Sequence, residues 1–193
     1  MKRLHAVRIA EAHSARQFPE SAFPEIALAG RSNVGKSSLL NCLCGQEKLA
    51  RVSVTPGRTR ALHFFKTDAG LTLVDFPGYG FAKGPNADRT EWRILIEAYL
   101  MSRSQLKAVT VLVDSRHEPS AEDKALFDWL NSLKKNAICV ATKADKLSGN
   151  ERTNQSKMFM KELKLNHKPI MFSSLDGMGR EELVVKMKEI ARA

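Results

Sequence analysis

The chain has 193 residues, 43% of them hydrophobic, which suits one compact α/β domain and excludes global disorder. Lys and Arg number 31 against 21 Asp and Glu; the net charge of +10 favours a polyanionic surface such as RNA over an acidic protein partner. No apolar run approaches the ~20 residues of a membrane span, and none follows the basic start, so neither membrane insertion nor a secretory leader is expected.

Residues 1–24 read as an N-terminal extension with room for one extra strand over "HAVRIAEA", and residues 25–193 as the main domain. Glu25–Gly30 (EIALAG) is a short apolar run ending in glycine, a buried strand, and "KSSLLNCLCG" is a helix closed by Gly45. "ALHFFKT" and "LTLVDF" flank the turn Asp68–Gly70 as a hairpin. A helix over 90–104 is predicted to start at the N-cap Thr90, followed by the strand "AVTVLVD" and a helix over 120–133 capped by Ser120. The strand "NAICVAT", a helix over 150–165, the strand "PIMFSS" and a closing amphipathic helix complete the chain. The alternation predicts a mostly parallel six-stranded sheet with one antiparallel edge strand and helices on both faces. The irregular stretches Gln46–Arg60 and Phe76–Arg89 are long for loops in a compact domain, which points to function or mobility. Cys42, Cys44 and Cys139 are odd in number, and Cys42 and Cys44 lie on different helix faces, so reduced thiols are expected rather than a metal.

Gly30-Arg31-Ser32-Asn33-Val34-Gly35-Lys36-Ser37, followed by Ser38, fits G-x-x-x-x-G-K-[ST] between a strand and a helix. Glycines let successive backbone N–H groups point at phosphate oxygens, and the helix adds its positive end. Lys36 would bridge the β- and γ-phosphates, and Ser37 would offer its hydroxyl to Mg²⁺. In "LVDFPG", Asp75 ends an apolar strand and would hold Mg²⁺; Phe76, Pro77 and Gly78 follow, with the Gly78 N–H placed to sense the γ-phosphate. In "TPGRTRA", Gly57, Arg58, Thr59, Arg60 and Ala61 form a second nucleotide loop; Thr59 is the expected third Mg²⁺ ligand and γ-phosphate sensor, with Thr55 as its rival. Catalysis would rest on Lys36, Thr59 and Gly78.

Thr142-Lys143-Ala144-Asp145 follows a strand at its carboxyl end, where ligands sit in open α/β sheets. Asp145 can accept hydrogen bonds from guanine N1–H and its amino group, which adenine lacks, and Lys143 can lay its stem along the base. Phe172, Ser173 and Ser174 end the next strand and would supply donors to the guanine carbonyl. A P-loop ATPase or small-molecule kinase shares the phosphate loop but leaves "TKAD" without a role.

"GRSNVGKSSLLN", "TPGRTR", "DFPGYGFAKG", "TKADKL" and "SSLDGMG", in order from 30 to 179, resemble the EngB family among the TrmE-Era-EngA-EngB-septin-like GTPases. The resemblance covers nearly the whole chain and leaves no room for the extra domains of Era, Der or MnmE. It implies a single P-loop G domain and a monomeric bacterial cytoplasmic GTPase that binds GTP, GDP and Mg²⁺. The implied partner is the large ribosomal subunit or its precursor, with a requirement in normal cell division (septation). Tyr79 stands where Ras-like GTPases carry a water-orienting glutamine, so slow unassisted hydrolysis is expected; a non-enzymatic RNA-binding or scaffold role stays open on the same ground. Asn33 matches the asparagine with which similar GTPases coordinate K⁺, and a loop-stabilising role is its alternative.

Overall fold

The computed structural model describes residues 3–47, 49, 61–79 and 86–192, with the backbone alone for 86–92. Thr55, Gly57, Arg58, Thr59 and Arg60, and with them most of the second nucleotide loop, lie outside the described residues.

Strands β1 (Ala6–Ala12), β2 (Glu25–Gly30), β3 (Leu62–Thr67), β4 (Thr72–Asp75), β5 (Leu106–Asp114), β6 (Ala137–Thr142) and β7 (Ile170–Met171) form one sheet in the order β1-β3-β4-β2-β5-β6-β7. The helices are α1 (Lys36–Cys44), α2 (Asn86–Ser102), α3 (Ala121–Ser132), α4 (Gly149–Glu162) and α5 (Arg180–Arg192). The sheet has seven strands: the six expected in the main domain and the extra one read over "HAVRIAEA", where residues 6–12 pair antiparallel with β3. β3 is the strand that runs against the others, and it stands second from the edge rather than at it, covered by β1. The backbone groups of β3 that face away from β4 thereby find partners instead of forming an open edge. Helix α2 begins at Asn86, four residues before Thr90, which lies inside it. Its first turn is polar, so the helical periodicity of apolar residues starts only later.

Strand β2 is buried along all six residues and alternates between two cores. Ile26 and Leu28 join Leu39, Leu40 and Leu43 of α1 and Leu183, Val184 and Met187 of α5. Ala27 and Ala29 face Leu95, Ile96 and Tyr99 of α2, Phe127 and Leu130 of α3 and Phe159 of α4. A period of two along the strand dictates this split, and it leaves helices on both faces. Ser120 and Ser148 cap α3 and α4, each side chain accepting from the N–H three residues on and each box closed by Asp123 or Glu151. Cys42, Cys44 and Cys139 are free thiols; burial pushes Cys44 up to about 12, which leaves no thiolate at neutral pH.

From β2 the chain goes to β4 on one side and returns to β5 on the other. The carboxyl end of β2 is thus the point where strand order reverses, the place at which open α/β sheets bind ligands.

Candidate nucleotide site

The phosphate loop leaves β2 at this switch point. Asn33 (φ 64°) and Gly35 (φ 109°) both take left-handed backbone. Asn tolerates that region, and at Gly35 a side chain would be strained. Gly35 is also the N-cap of α1, so the cap residue has no side chain to bond that end of the helix, in contrast to the serine boxes of α3 and α4. The first N–H groups of α1 are left for an anion. Val34 is buried, whereas Arg31 and Asn33 are exposed and Ser32, Lys36, Ser37 and Ser38 are half-buried around the loop.

Parallel pairing of β4 with β2 sets Asp75 opposite Leu28, at the base of the loop. Lys36 Nζ lies 3.1 Å from Asp75 Oδ1, both side chains 12% exposed. This is a charge contact rather than a hydrogen bond: buried Asp75 Oδ1 accepts none among the described residues. A buried carboxylate oxygen with spare acceptor capacity and the hydroxyl of Ser37 one residue beyond Lys36 are hard oxygen donors of the kind Mg²⁺ takes. The residues present fit that ion. Phe76 does not face the loop: it is buried, with its ring edge-on to Tyr99 at 5.3 Å.

Beyond Pro77 the chain runs against the phosphate loop. The Tyr79 N–H donates to Gly30 O at 3.3 Å, and the Ser32 N–H donates to Tyr79 O at 3.0 Å. The Tyr79 hydroxyl donates to Asp123 Oδ1 at 2.7 Å, in the capping box of α3. Burial pushes the phenol upward, and the Asp123 carboxylate adds to the effect, so Tyr79 is a neutral donor and no base. Gly78 is needed where it stands: a Cβ there would sit 2.9 Å from Ser32 Oγ and 3.1 Å from Ser32 Cα and N. Gly78→Ala is expected to push this segment off the phosphate loop. Single-turnover GTP hydrolysis should fall about 100-fold, the scale of a 1 Å misplacement, while GDP titration changes little. Equal losses in both assays would mean that Gly78 serves the fold and not the γ-phosphate.

The base loop is stitched to the phosphate loop. Strand β6 pairs with β5 so that Thr142 stands opposite Asp114. Thr142 Oγ1 lies 2.7 Å from the Val34 carbonyl and 3.0 Å from that of Val113. Lys143 takes left-handed backbone (φ 60°), and its ammonium donates to Asn33 O at 3.1 Å and to Asp114 Oδ2 at 2.8 Å. A one-turn 3₁₀ segment, Ala144–Lys146, follows; Ala144 is buried with its N–H on Phe172 O, and the Asp145 side chain is 14% exposed, 3.4 Å from Lys146 Nζ. Phe172 is core. Ser173 is buried, and its Oγ accepts from the N–H groups of Leu175 and Asp176, so it shapes the loop and leaves Ser174 exposed at the rim.

Asp114 and Arg116 enter the site without a motif to announce them. Arg116 grips the carboxylate from three nitrogens: its N–H (3.1 Å) and Nε (2.9 Å) on Oδ1, and Nη2 (2.8 Å) on Oδ2. Burial alone would raise the Asp114 carboxyl; the hydrogen bonds from Arg116 and Lys143 outweigh it and hold the group well below the usual carboxylate range. The available signal was an aspartate ending an apolar strand beside the "TKAD" strand.

Fold and site together define a class, the P-loop proteins that bind guanine nucleotides. A family profile described as 50S ribosome-binding GTPase matches residues 25–143. The chain is 45% identical over 186 residues to an EngB GTP-binding protein of Pelotomaculum thermopropionicum, covering 95% of this chain and 94% of that one. It is 44% identical over 170 residues to an EngB GTP-binding protein of Clostridium perfringens strain 13, covering 87% and 86%. A crystal structure of an EngB GTP-binding protein shares the fold with a TM-score of 0.74 at 23% identity, over 87% of this chain and 98% of that one. The chain belongs to the EngB family of GTP-binding proteins and is a GTP-hydrolysing enzyme. Among the described residues no helix is long and apolar enough to cross a membrane.

Proposed function

We propose that the chain is a Mg²⁺-dependent GTPase switch that docks on the large ribosomal subunit or its precursor in one nucleotide state and leaves in the other, with normal cell division (septation) depending on that cycle. The observation that carries the switch is the pairing of Tyr79 with Gly30 and Ser32, because it couples the segment after Asp75 directly to the phosphate loop. The family description as 50S ribosome-binding and the net charge of +10 support the ribosomal partner.

Lys36 and the N–H groups at the start of α1 hold the β- and γ-phosphates; Asp145 and Lys143 hold the base. Ser37 and Asp75, with Thr59, would hold Mg²⁺, which would supply positive charge to offset that of the phosphates. Lys36 exchanges Asp75 for phosphate as its counter-charge. The chemistry calls for no protein nucleophile: water attacks the γ-phosphate, and Tyr79, committed to Asp123, supplies no amide to polarise it. Asn33, exposed at the mouth of the loop, offers its side-chain oxygen to K⁺ in place of an arginine finger.

Co-sedimentation with separated ribosomal subunits tests the partner, comparing GDP, a non-hydrolysable GTP analogue and the matching ATP analogue at two salt concentrations. Large-subunit binding that needs the GTP analogue and weakens with salt is the expected result. Tight guanine binding with no association with either subunit removes the proposed partner and leaves the GTPase. Hydrolysis with K⁺ replaced by Na⁺, with and without subunits, tests Asn33; an unchanged rate in both settings rules the K⁺ role out.

A further inference from the structure

We infer that Asp114 is a positioning residue for guanine recognition, locking the Lys143 side chain in the place where it supports the base, with Arg116 as the clamp that keeps Asp114 in register. The inference rests on the reading of Lys143 as the platform for the base.

The geometry has three parts. The ammonium of Lys143 is held from two sides, by Asp114 Oδ2 at 2.8 Å and by the Asn33 carbonyl of the phosphate loop at 3.1 Å. Its four-carbon stem is therefore stretched between fixed ends. A free lysine side chain has many rotamers, and ordering it on nucleotide binding would weaken the complex; here much of that entropy is lost when the protein folds.

Second, the acceptor is itself immobile. Asp114 Oδ1 takes two bonds from Arg116, and Oδ2 takes one from Arg116 and one from Lys143. Those four bonds fill the acceptor sites of a carboxylate, so Asp114 has nothing left for a ligand and acts through Lys143. A lone carboxylate could swing about its side-chain bonds, whereas a forked guanidinium forces one plane.

Third, the strands set the spacing. The Asp114–Thr142 pairing of β5 with β6 puts Asp114 next to the residue that precedes Lys143. The left-handed backbone at Lys143 turns the chain there. A lysine does not favour this conformation, and the ion pair offsets its strain.

Fluorescent GDP titration of the full chain tests this with Asp114→Asn, Arg116→Gln, Lys143→Met and the Asp114→Asn/Lys143→Met double variant. Melting temperature without nucleotide and inorganic pyrophosphate competition serve as controls. Asp114→Asn is expected to weaken GDP about tenfold, and Arg116→Gln about threefold. The double variant should bind within about twofold of Lys143→Met alone, because the two residues act as one unit. Pyrophosphate, which has no base, should bind all variants alike. Wild-type GDP affinity in Asp114→Asn overturns the inference, as does a double variant whose loss is the product of the single losses. If Asp114→Asn does not fold, Arg116→Gln decides, since Arg116 is 41% exposed; wild-type affinity there also overturns it. Lys143→Met with wild-type affinity would sink the base-platform reading and this inference together. A weak Lys143→Met beside an unaffected Asp114→Asn sinks this inference alone.

Discussion

Asp145→Asn is expected to lower GDP and GTP affinity by about 10²–10³-fold and to raise affinity for xanthine nucleotides by a comparable factor. The carboxylate stands on the short 3₁₀ turn after Lys143, with its side chain only 14% exposed and Lys146 Nζ at 3.4 Å. An ionised carboxylate is acceptor-only, which matches the two donors on the guanine edge. The amide of asparagine presents one acceptor and one donor. Guanine then loses a charge-assisted bond and sets two donors against each other, whereas xanthine, with a carbonyl in place of the amino group, gains a partner. The turn does not depend on the charge: its position follows from Ala144 being buried with its N–H on Phe172 O, so the exchange should leave the melting temperature nearly unchanged. Competition by GTP, XTP and ATP against a fluorescent nucleotide reads the result. Wild-type GTP affinity in the variant would show that Asp145 does not face the base.

Arg103→Met is expected to destabilise the protein by about 3–5 kcal/mol, as stranding a buried carboxylate does. Glu25 opens β2 with no exposed surface, although charge at such a place is costly. It is held by the Tyr99 hydroxyl at 2.7 Å and by the Arg103 guanidinium, through Nε at 3.0 Å and through Nη2. Arg103 in turn stacks near Phe64, its guanidinium carbon 5.9 Å from the ring centre. Without Arg103 the phenol is the one side-chain partner left to the carboxylate among the described residues. Glu25→Gln together with Arg103→Met removes the stranded charge and should recover a large part of the loss. The cluster sits at the amino end of β2, a full strand away from the phosphate loop, so GDP affinity of the folded variant should not change. Urea unfolding of the three variants decides it: a cost below about 1 kcal/mol for Arg103→Met would mean that water or rearrangement relieves the charge.

The local signals were legible from residues alone. A glycine-bounded loop between a strand and a helix, Lys36 and Ser37 at its end, an aspartate closing "LTLVDF" and "TKAD" after a strand each depend on a few neighbouring residues. The chemistry that needs them leaves little freedom in their spacing. The caps were equally local, as Ser120 and Gly45 show. Where the helical periodicity was diluted by polar residues, as in the first turn of α2, the boundary was missed.

What the tertiary structure decided lies across the chain. A strand over residues 6–12 was readable, but its place antiparallel to β3 at the edge of the sheet is a contact that hydrophobic alternation does not encode. Tyr79 reaches Asp123 across 44 residues, Glu25 reaches Tyr99 across 74, and Lys143 reaches Asn33 across 110. Phe76 and Phe172 stand beside the nucleotide motifs in sequence but turn into the core. The physical reason is the same throughout. A motif states which atoms a phosphate or a base requires, and backbone periodicity states which face is apolar. Only sheet order and strand register state which distant charge stands opposite, and so the partners of Lys143, Tyr79 and Glu25 were set by the packing of β5 on β6, of the Tyr79 segment on the phosphate loop, and of α2 on β2.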